Sequence, residues 1–400
     1  MSEIYIGKII LFYLNCNHHK KKGKAMTIVQ QSEALRRTVR RVDHQGCSEA
    51  FLDCRLPGSI PKHNYAFIGG GVSQSTKQVV NLQEPHGYNV GGAAMPNGIT
   101  NNLHLHFTAE VFMCFSGEWI FRWGVNGEEG EFVMGEGGIF SVPTWIYRGF
   151  TNTGSDNGFL FTCLGQDKTG GIIWSPDVIK RARETGLALS AADTKLVDLN
   201  DLNGQEAPEL LDVMSQQDID QLKKCSADEM RSRITLENDL IWSERATLDS
   251  VLPGGRKKVA SVIGYGLSED RNQEPRVFNP HGFSMAWLEA EPGEGLLQHK
   301  HHDSQVFLVR HGEWEVALNE GLDVKVELGS WDLISVPAGA WRTLRNIGTG
   351  TGRALMITGS DTRTKLEWCD SVIKQAEIKG YAIDPNGYLT TTSTLELRAR

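Results

Sequence analysis

A chain of 400 residues, 40% hydrophobic and 22% charged, is too long for one ordinary core and suits two domains of common size. Its net charge of −8 and scattered basic residues offer no basic face for nucleic acid, and no apolar run approaches the roughly 20 residues of a membrane span. The seven cysteines are odd in number, widely spaced and without a Cys-x-x-Cys. They imply neither a disulfide framework nor a zinc cluster, and a reducing cytoplasm is the expected setting.

At the N-terminus, residues 4–14 are apolar and residues 18–24 basic, the reverse of a secretory signal. Residues 1–25 are therefore read as a translated leader, with Met26 as the start. The 43 glycines cluster between short apolar runs, a pattern of many tight turns that favours an all-β fold.

From Pro85 onward the chain repeats itself. Pro85-His86-Gly87-Tyr88 returns as Pro280-His281-Gly282-Phe283, His104-x-His106 as His299-x-His301, and Gly117-Glu118-Trp119 as Gly312-Glu313-Trp314. After one deleted residue the register continues through Val142-Pro143 and Val336-Pro337, Arg148 and Arg342, Asn152 and Asn346. It runs on to Trp174 and Trp368. A register kept over that span marks a tandem duplication.

In each unit the Phe-, Val- and Trp-rich runs 111–123 and 306–318 read as hairpins turning at Gly-Glu, each with a buried Trp. Runs 135–143 and 328–337 read as further strands. Ser175-Pro176-Asp177 starts a helix ending near Thr185. Residues 193–252 have no counterpart in the other half, are polar and acidic, and show a helical pattern near 219–233. The expected organisation is an N-terminal domain over 26–190, a connection over 191–254 and a C-terminal domain over 255–400.

The chemistry-bearing motif of the first unit is Gly98-x5-His104-x-His106-x3-Glu110-x6-Gly117. The second unit has Gly293-x5-His299-x-His301-x3-Gln305-x6-Gly312. Residues i and i+2 of a strand point to one side, so both imidazoles of a pair face one interior. This spacing resembles the first cupin motif, and Pro143-x-Trp145-x-x-Arg148-x3-Asn152 and Pro337-x-Gly339-x-x-Arg342-x3-Asn346 resemble the second. The resemblance implies two tandem cupin barrels (double-stranded β-helix or jelly-roll) with short helical appendages. Pro143-x-Trp145 is distantly similar to the gentisate- and salicylate-type ring-cleaving dioxygenases. Where the family carries its last metal-binding His, however, both units carry Arg.

In the first unit His104, His106 and Glu110 are the candidate metal ligands. Two imidazoles and a carboxylate suit Fe(II) and leave positions open to oxygen and substrate, though Mn, Ni or Zn are also accommodated. Arg148 cannot ligate a cation. It either grips a substrate carboxylate or enolate through its bidentate fork, as a catalytic and binding residue, or pairs with Glu110 in a metal site that has decayed to a structural network. Trp145 and Tyr147, which flank Arg148, are candidate pocket walls, with core packing the alternative. The second unit offers His299, His301, Gln305 and Arg342, a poorer site because Gln305 brings no charge, and His302 points to the opposite strand face. His86 and His281 either bond a local turn or reach inward as a missing imidazole. His44 and His63 are taken as surface residues.

The expected function is that of a metal-dependent, non-haem Fe(II) dioxygenase. It would use O2 and a small anionic hydroxy-aromatic or enolic substrate, in a homo-oligomer, with no nucleic-acid or membrane partner. The competing expectations are a metal-dependent lyase or isomerase on an oxo-acid, and a non-catalytic small-anion binder.

Overall fold

The computed structural model describes residues 27–398, so the leader expected over 1–25 lies outside the described residues. Each half is built from two facing antiparallel sheets. The first half has a seven-stranded sheet and a five-stranded one. The larger runs, in spatial order, Ile234–Thr235, Ile139–Val142, Glu110–Ser116, Gly158–Gly165, Tyr88–Met95, His63–Ile68, Val80–Leu82; its one parallel pair is the last. The smaller runs Ile172–Trp174, Thr100–His106, Arg148–Asn152, Trp119–Trp123, Gly130–Met134. The second half repeats this plan with six and five strands.

The larger sheets of the two halves pack against each other, and this explains their unbroken apolar runs. Val111, Met113 and Phe115 share one buried cluster with Val262, Met285, Trp287, Val306 and Leu308 of the other half. The alternating Phe112 and Cys114 instead fill the first barrel's own interior with Trp119, Phe121 and Phe140. Strands buried on both faces read as continuous hydrophobic segments rather than alternating ones. Both hairpin tryptophans, Trp119 and Trp314, are fully buried, as the Gly-Glu-Trp repeats imply. The helix starting after Ser175 spans Pro176–Glu184.

The stretch 193–252 does have a counterpart in the other half, and the two exchange places. Its helix Ala227–Arg231 and strand Ile234–Thr235 match the helix Gln31–Arg36 and strand Thr38–Val39 of the N-terminal arm. Thr38 and Val39 pair with Ile334 and Leu333 of the second barrel. Ile234 and Thr235 pair with Phe140 and Ile139 of the first. The details repeat: Ser335 N–H donates to Arg37 O at 3.0 Å, and Ser141 N–H donates to Arg233 O at 3.0 Å. Each barrel therefore carries, as an edge strand, the arm that precedes the other. A two-residue strand holds too little apolar pattern to announce itself in sequence, which is why the correspondence was missed. The helical pattern near 219–233 resolves into two short helices, Gln216–Asp220 and Ala227–Arg231.

His86 and His281 do not reach either interior site. His86 Nδ1 contacts Glu84 O at 2.6 Å, and its Nε2 lies 2.5 Å from Ser335 Oγ in the opposite barrel. His281 does the same with Asn279 O and with Ser141 Oγ, the latter at 2.6 Å. They are turn-bonding residues that also tie one barrel to the other. His63 is exposed, as expected. His44 is not a surface residue: its ring packs 4.5 Å from that of Phe67 and near Tyr65, Phe159 and Phe161, and burial lowers its pKa to about 4.

Candidate metal centre

His104 and His106 lie on the strand Thr100–His106, and Glu110 opens the strand Glu110–Ser116 of the facing sheet. A ligand atom from each lies within 4.8 Å of the others, and all three residues are buried. They border a cavity of about 50 Å³ between the two sheets. The imidazoles are held in the form a cation needs. His104 Nδ1 lies 2.7 Å from Asn102 O, and His106 Nδ1 lies 3.2 Å from Gly171 O. Each Nδ1–H donates to a carbonyl, which leaves the Nε2 lone pair facing inward. His106 Nε2 is buried without a hydrogen-bond partner, an orphan of the kind a ligand should satisfy. Burial, reinforced by the Arg148 charge, holds the His104 pKa well below its ordinary value, so this imidazole is neutral at physiological pH.

Arg148 stands on the neighbouring strand, its Cα paired with that of His104. Its Nε and Nη2 both donate to Glu110 Oε2, at 3.1 and 2.6 Å, and its Nη1 donates to His104 O and Ile146 O at 3.3 and 3.4 Å. Of the two sequence readings for Arg148, this geometry gives the pairing with Glu110, while the unpartnered His106 Nε2 argues against the decayed site which that reading attached to it. The guanidinium is spent on protein groups and does not border the cavity, so the role of substrate clamp is corrected. Burial raises the Glu110 carboxyl and lowers the Arg148 guanidinium, while the contact between them favours the charged pair over either group ionised alone. Glu110 borders the cavity, and its hydrogen bonds among the described residues are all made by Oε2. Two inward Nε2 lone pairs and one unengaged carboxylate oxygen fit a divalent ion.

Trp145 and Tyr147 are also corrected as walls of this site. Both border a separate surface pocket with Lys223 and Lys224 of the connecting segment. Trp145 is 41% exposed and packs edge-on to Phe107 at 5.0 Å. It takes the left-handed conformation, φ 61°, that Gly339 takes at the matching position of the second unit. A left-handed residue breaks strand alternation, so parity could not predict where Trp145 and Tyr147 point.

In the second barrel the place of a metal is taken by a guanidinium. Arg342 Nη1 lies 3.1 Å from His301 Nε2 and 3.4 Å from Gln305 Oε1, and its other nitrogens donate to Ala340 O and Pro337 O. His301 Nδ1 accepts from the Asp303 backbone N–H at 3.3 Å, which places the ring proton on Nε2, where it donates to Gln305 Oε1 at 3.3 Å. His299 Nε2 is the orphan here, and burial lowers the His299 pKa to about 3. His302 is exposed and faces Glu367, on the opposite side as expected.

Sequence reasoning missed one group in the first cavity. Lys62 borders it beside His104 and is 6% exposed. Its ammonium donates to Asp53 Oδ1 and, at 2.8 Å, to Asn101 Oδ1. Asp53 Oδ2 in turn accepts from the backbone and side-chain N–H of Asn102, both at 3.0 Å. The signal was present: Leu52-Asp53 and Leu56-Pro57-Gly58 return as Leu248-Asp249 and Leu252-Pro253-Gly254, and Lys62 as Lys257.

Two duplicated double-sheet barrels, packed through their larger sheets, with a His-x-His strand in each, make a two-domain cupin fold. A cupin domain family matches residues 286–358. Among solved structures the chain is similar to the oxalate decarboxylase of Lactobacillus farciminis in its formate complex. The identity is 16%, the coverage 87% of this chain and 91% of that one, and the TM-score 0.51. The Bacillus subtilis oxalate decarboxylase solved at pH 4.6 is 11% identical, with coverages of 91% and 88% and a TM-score of 0.50. No curated protein sequence matches the chain. The likeness to gentisate- and salicylate-type dioxygenases goes no further than the shared cupin motifs.

Proposed function

We propose that the first barrel holds a divalent transition metal on His104, His106 and Glu110, and that the chain is an enzyme acting on a small anionic substrate in the adjoining cavity. The observation that carries this reading is the convergence of two inward imidazole lone pairs, one of them orphaned, and a carboxylate on one buried cavity. The 2-His-1-carboxylate set favours Fe(II), with Mn(II) next. Such an ion supplies Lewis acidity and, if iron, a one-electron couple. The protein's own part is to hold the imidazoles in one tautomer through Asn102 O and Gly171 O, and to exclude water from a buried cleft. Arg148 restrains the Glu110 carboxylate through Oε2.

The charges around the cavity argue for an anion. Lys62 and Arg148 are balanced by Asp53 and Glu110, so a divalent ion leaves an excess of positive charge in a buried space. An anionic substrate neutralises it.

The dioxygenase expected from the motif and the lyase or isomerase on an oxo-acid use the same ligands, and one observation favours the second. A cavity of about 50 Å³ is a third of the roughly 150 Å³ that admits a benzene ring. It suits a two- or three-carbon acid better than a hydroxy-aromatic one. The deciding experiment loads the protein with Fe(II) or Mn(II) and follows a panel of small oxo- and hydroxy-acids by product analysis, with oxygen consumption recorded in parallel. Turnover with oxygen uptake supports the dioxygenase, and turnover without it the lyase. No turnover by a metal-loaded protein across both classes rejects the enzyme reading.

A further inference from the structure

We propose that Lys62 and Asn101 form an anion-binding corner of the first-barrel cavity, seating the carboxylate of the substrate beside the His104–His106–Glu110 cluster. This rests on reading the cavity as a site for a metal and an anion, and it adds the residues that would recognise the anion.

The argument begins with counting protons. An ammonium has three N–H donors. In the second barrel all three of Lys257 are used: Nζ donates to Asp249 Oδ1 at 2.6 Å, to Gly255 O at 2.7 Å and to Ser250 Oγ at 3.4 Å. In the first barrel Lys62 has only Asp53 Oδ1 and Asn101 Oδ1. One N–H is left without an oxygen or nitrogen acceptor among the described residues, with only the Phe51 ring, its centroid 5.7 Å from Nζ, nearby, and the side chain borders the cavity. A buried donor left unmade is costly, by about 1–3 kcal/mol and more when charged, and a bound anion removes that cost.

Asn101 supplies a second donor. Its Oδ1 is engaged by Lys62, so its Nδ2 is directed elsewhere and lies 3.4 Å from His104 Nδ1. That nitrogen already donates to Asn102 O at 2.7 Å and cannot also accept. The Asn101 amide N–H is thus a second donor without an acceptor, on a residue that borders the same cavity. An ammonium and an amide N–H side by side match the two oxygens of one carboxylate.

Comparison within the chain separates this corner from a purely structural pair. The buried Lys–Asp pair is duplicated, because both copies staple the segment before the barrel to the strand that carries His-x-His. Asp53 Oδ2 accepts from Asn102 N and Asp249 Oδ2 from Leu297 N. What is not duplicated is the polar wall. Asn101 and Asn102 stand where the second unit has Leu296 and Leu297, and the spare donors occur only in the half that keeps the carboxylate ligand.

The test is calorimetric titration of the metal-loaded protein with oxalate, metal content being measured on the same samples. Asn101→Leu, which installs the second unit's residue, and Lys62→Met are expected to weaken oxalate binding at least tenfold with metal content unchanged. Lys257→Met, the matched loss of a buried pair in the other barrel, is expected to leave it unchanged. The proposal is overturned if Asn101→Leu binds oxalate as the wild type does, or if Lys257→Met weakens binding as much as Lys62→Met. Should Lys62→Met fail to fold, Asn101→Leu carries the test, with Lys62→Met/Asp53→Asn as the charge-neutral form. A wild type that holds metal but no oxalate overturns this corner and spares the metal site. A wild type that binds oxalate without metal supports the corner and removes the metal reading.

Discussion

Arg148→Met isolates the competition between a guanidinium and a metal for one carboxylate. In the metal-free protein, Glu110 and Arg148 form a buried pair at 2.6 Å, with side-chain exposures of 6% and 1%. Removing one partner of such a pair costs about 3–5 kcal/mol, because the remaining charge is left uncompensated in the interior. Methionine roughly fills the space of the arginine stem, so the packing change is small beside the electrostatic one. Chelator-treated Arg148→Met should therefore lose about 3–5 kcal/mol by urea denaturation. A divalent ion restores positive charge at Glu110, so metal should recover much of that loss and stabilise the variant more than the wild type. At about 1.4 kcal/mol per decade, metal affinity should tighten by roughly two to three orders of magnitude. The reasoning is refuted if the metal-free variant is as stable as the wild type, or if metal stabilises both equally.

Further outcomes follow from the same geometry. Stability should fall as pH drops below about 6.5, the value at which unfolded imidazoles titrate. His104, His299 and His301 are buried neutral with lowered pKa values, so below that pH the unfolded chain gains protons the folded chain does not. Each contributes up to about 1.4 kcal/mol per pH unit, and because Glu269, raised to about 8 by burial, works in the opposite sense, the check is the slope: His299→Phe should lose less melting temperature than the wild type between about pH 6.5 and 5, and an equal slope would contradict this. Ser335→Val and Ser141→Val strand the Nε2 atoms of His86 and His281 at the inter-barrel contact. Each should cost about 1–3 kcal/mol in denaturant unfolding, with near-neutral values refuting the cross-barrel role. Asp332→Ala removes the acceptor of Arg40 Nη1 and of the Arg41 backbone N–H, at 2.9 and 2.8 Å. It should speed proteolysis of the N-terminal arm, and unchanged cleavage would show that the paired strand alone holds it.

The parts of this molecule governed by short periodicities were legible in its sequence. His104 and His106 share a face because strand residues alternate, and the register of the duplication carried that placement to His299 and His301. The hairpins and the helix Pro176–Glu184 were marked by Gly-Glu turns and by Ser-Pro. The remainder depends on distances between residues far apart in the chain. Whether Arg148 meets Glu110 or a substrate is decided by a 2.6 Å contact across 38 residues, which no local pattern encodes. The exchanged arms pair through two residues each, and the Lys62–Asp53 pair lies ahead of the motif that anchors the repeat. Trp145 was misplaced for a different reason. It was named for its closeness to Arg148 in the chain, and a left-handed residue at φ 61° turns its side chain away from the face its neighbours share.

The account turns on one barrel binding metal and the other not, and metal analysis tests that directly. Protein purified without added metal, and a series carrying His104→Ala, Glu110→Gln and His299→Ala, are compared by elemental analysis after equal loading. The wild type and His299→Ala should each hold about one equivalent of a transition metal, as one three-ligand site per chain requires. His104→Ala and Glu110→Gln should hold little. A wild type that cannot be loaded, or metal lost in His299→Ala and kept in His104→Ala, would contradict the assignment of the site to the first barrel.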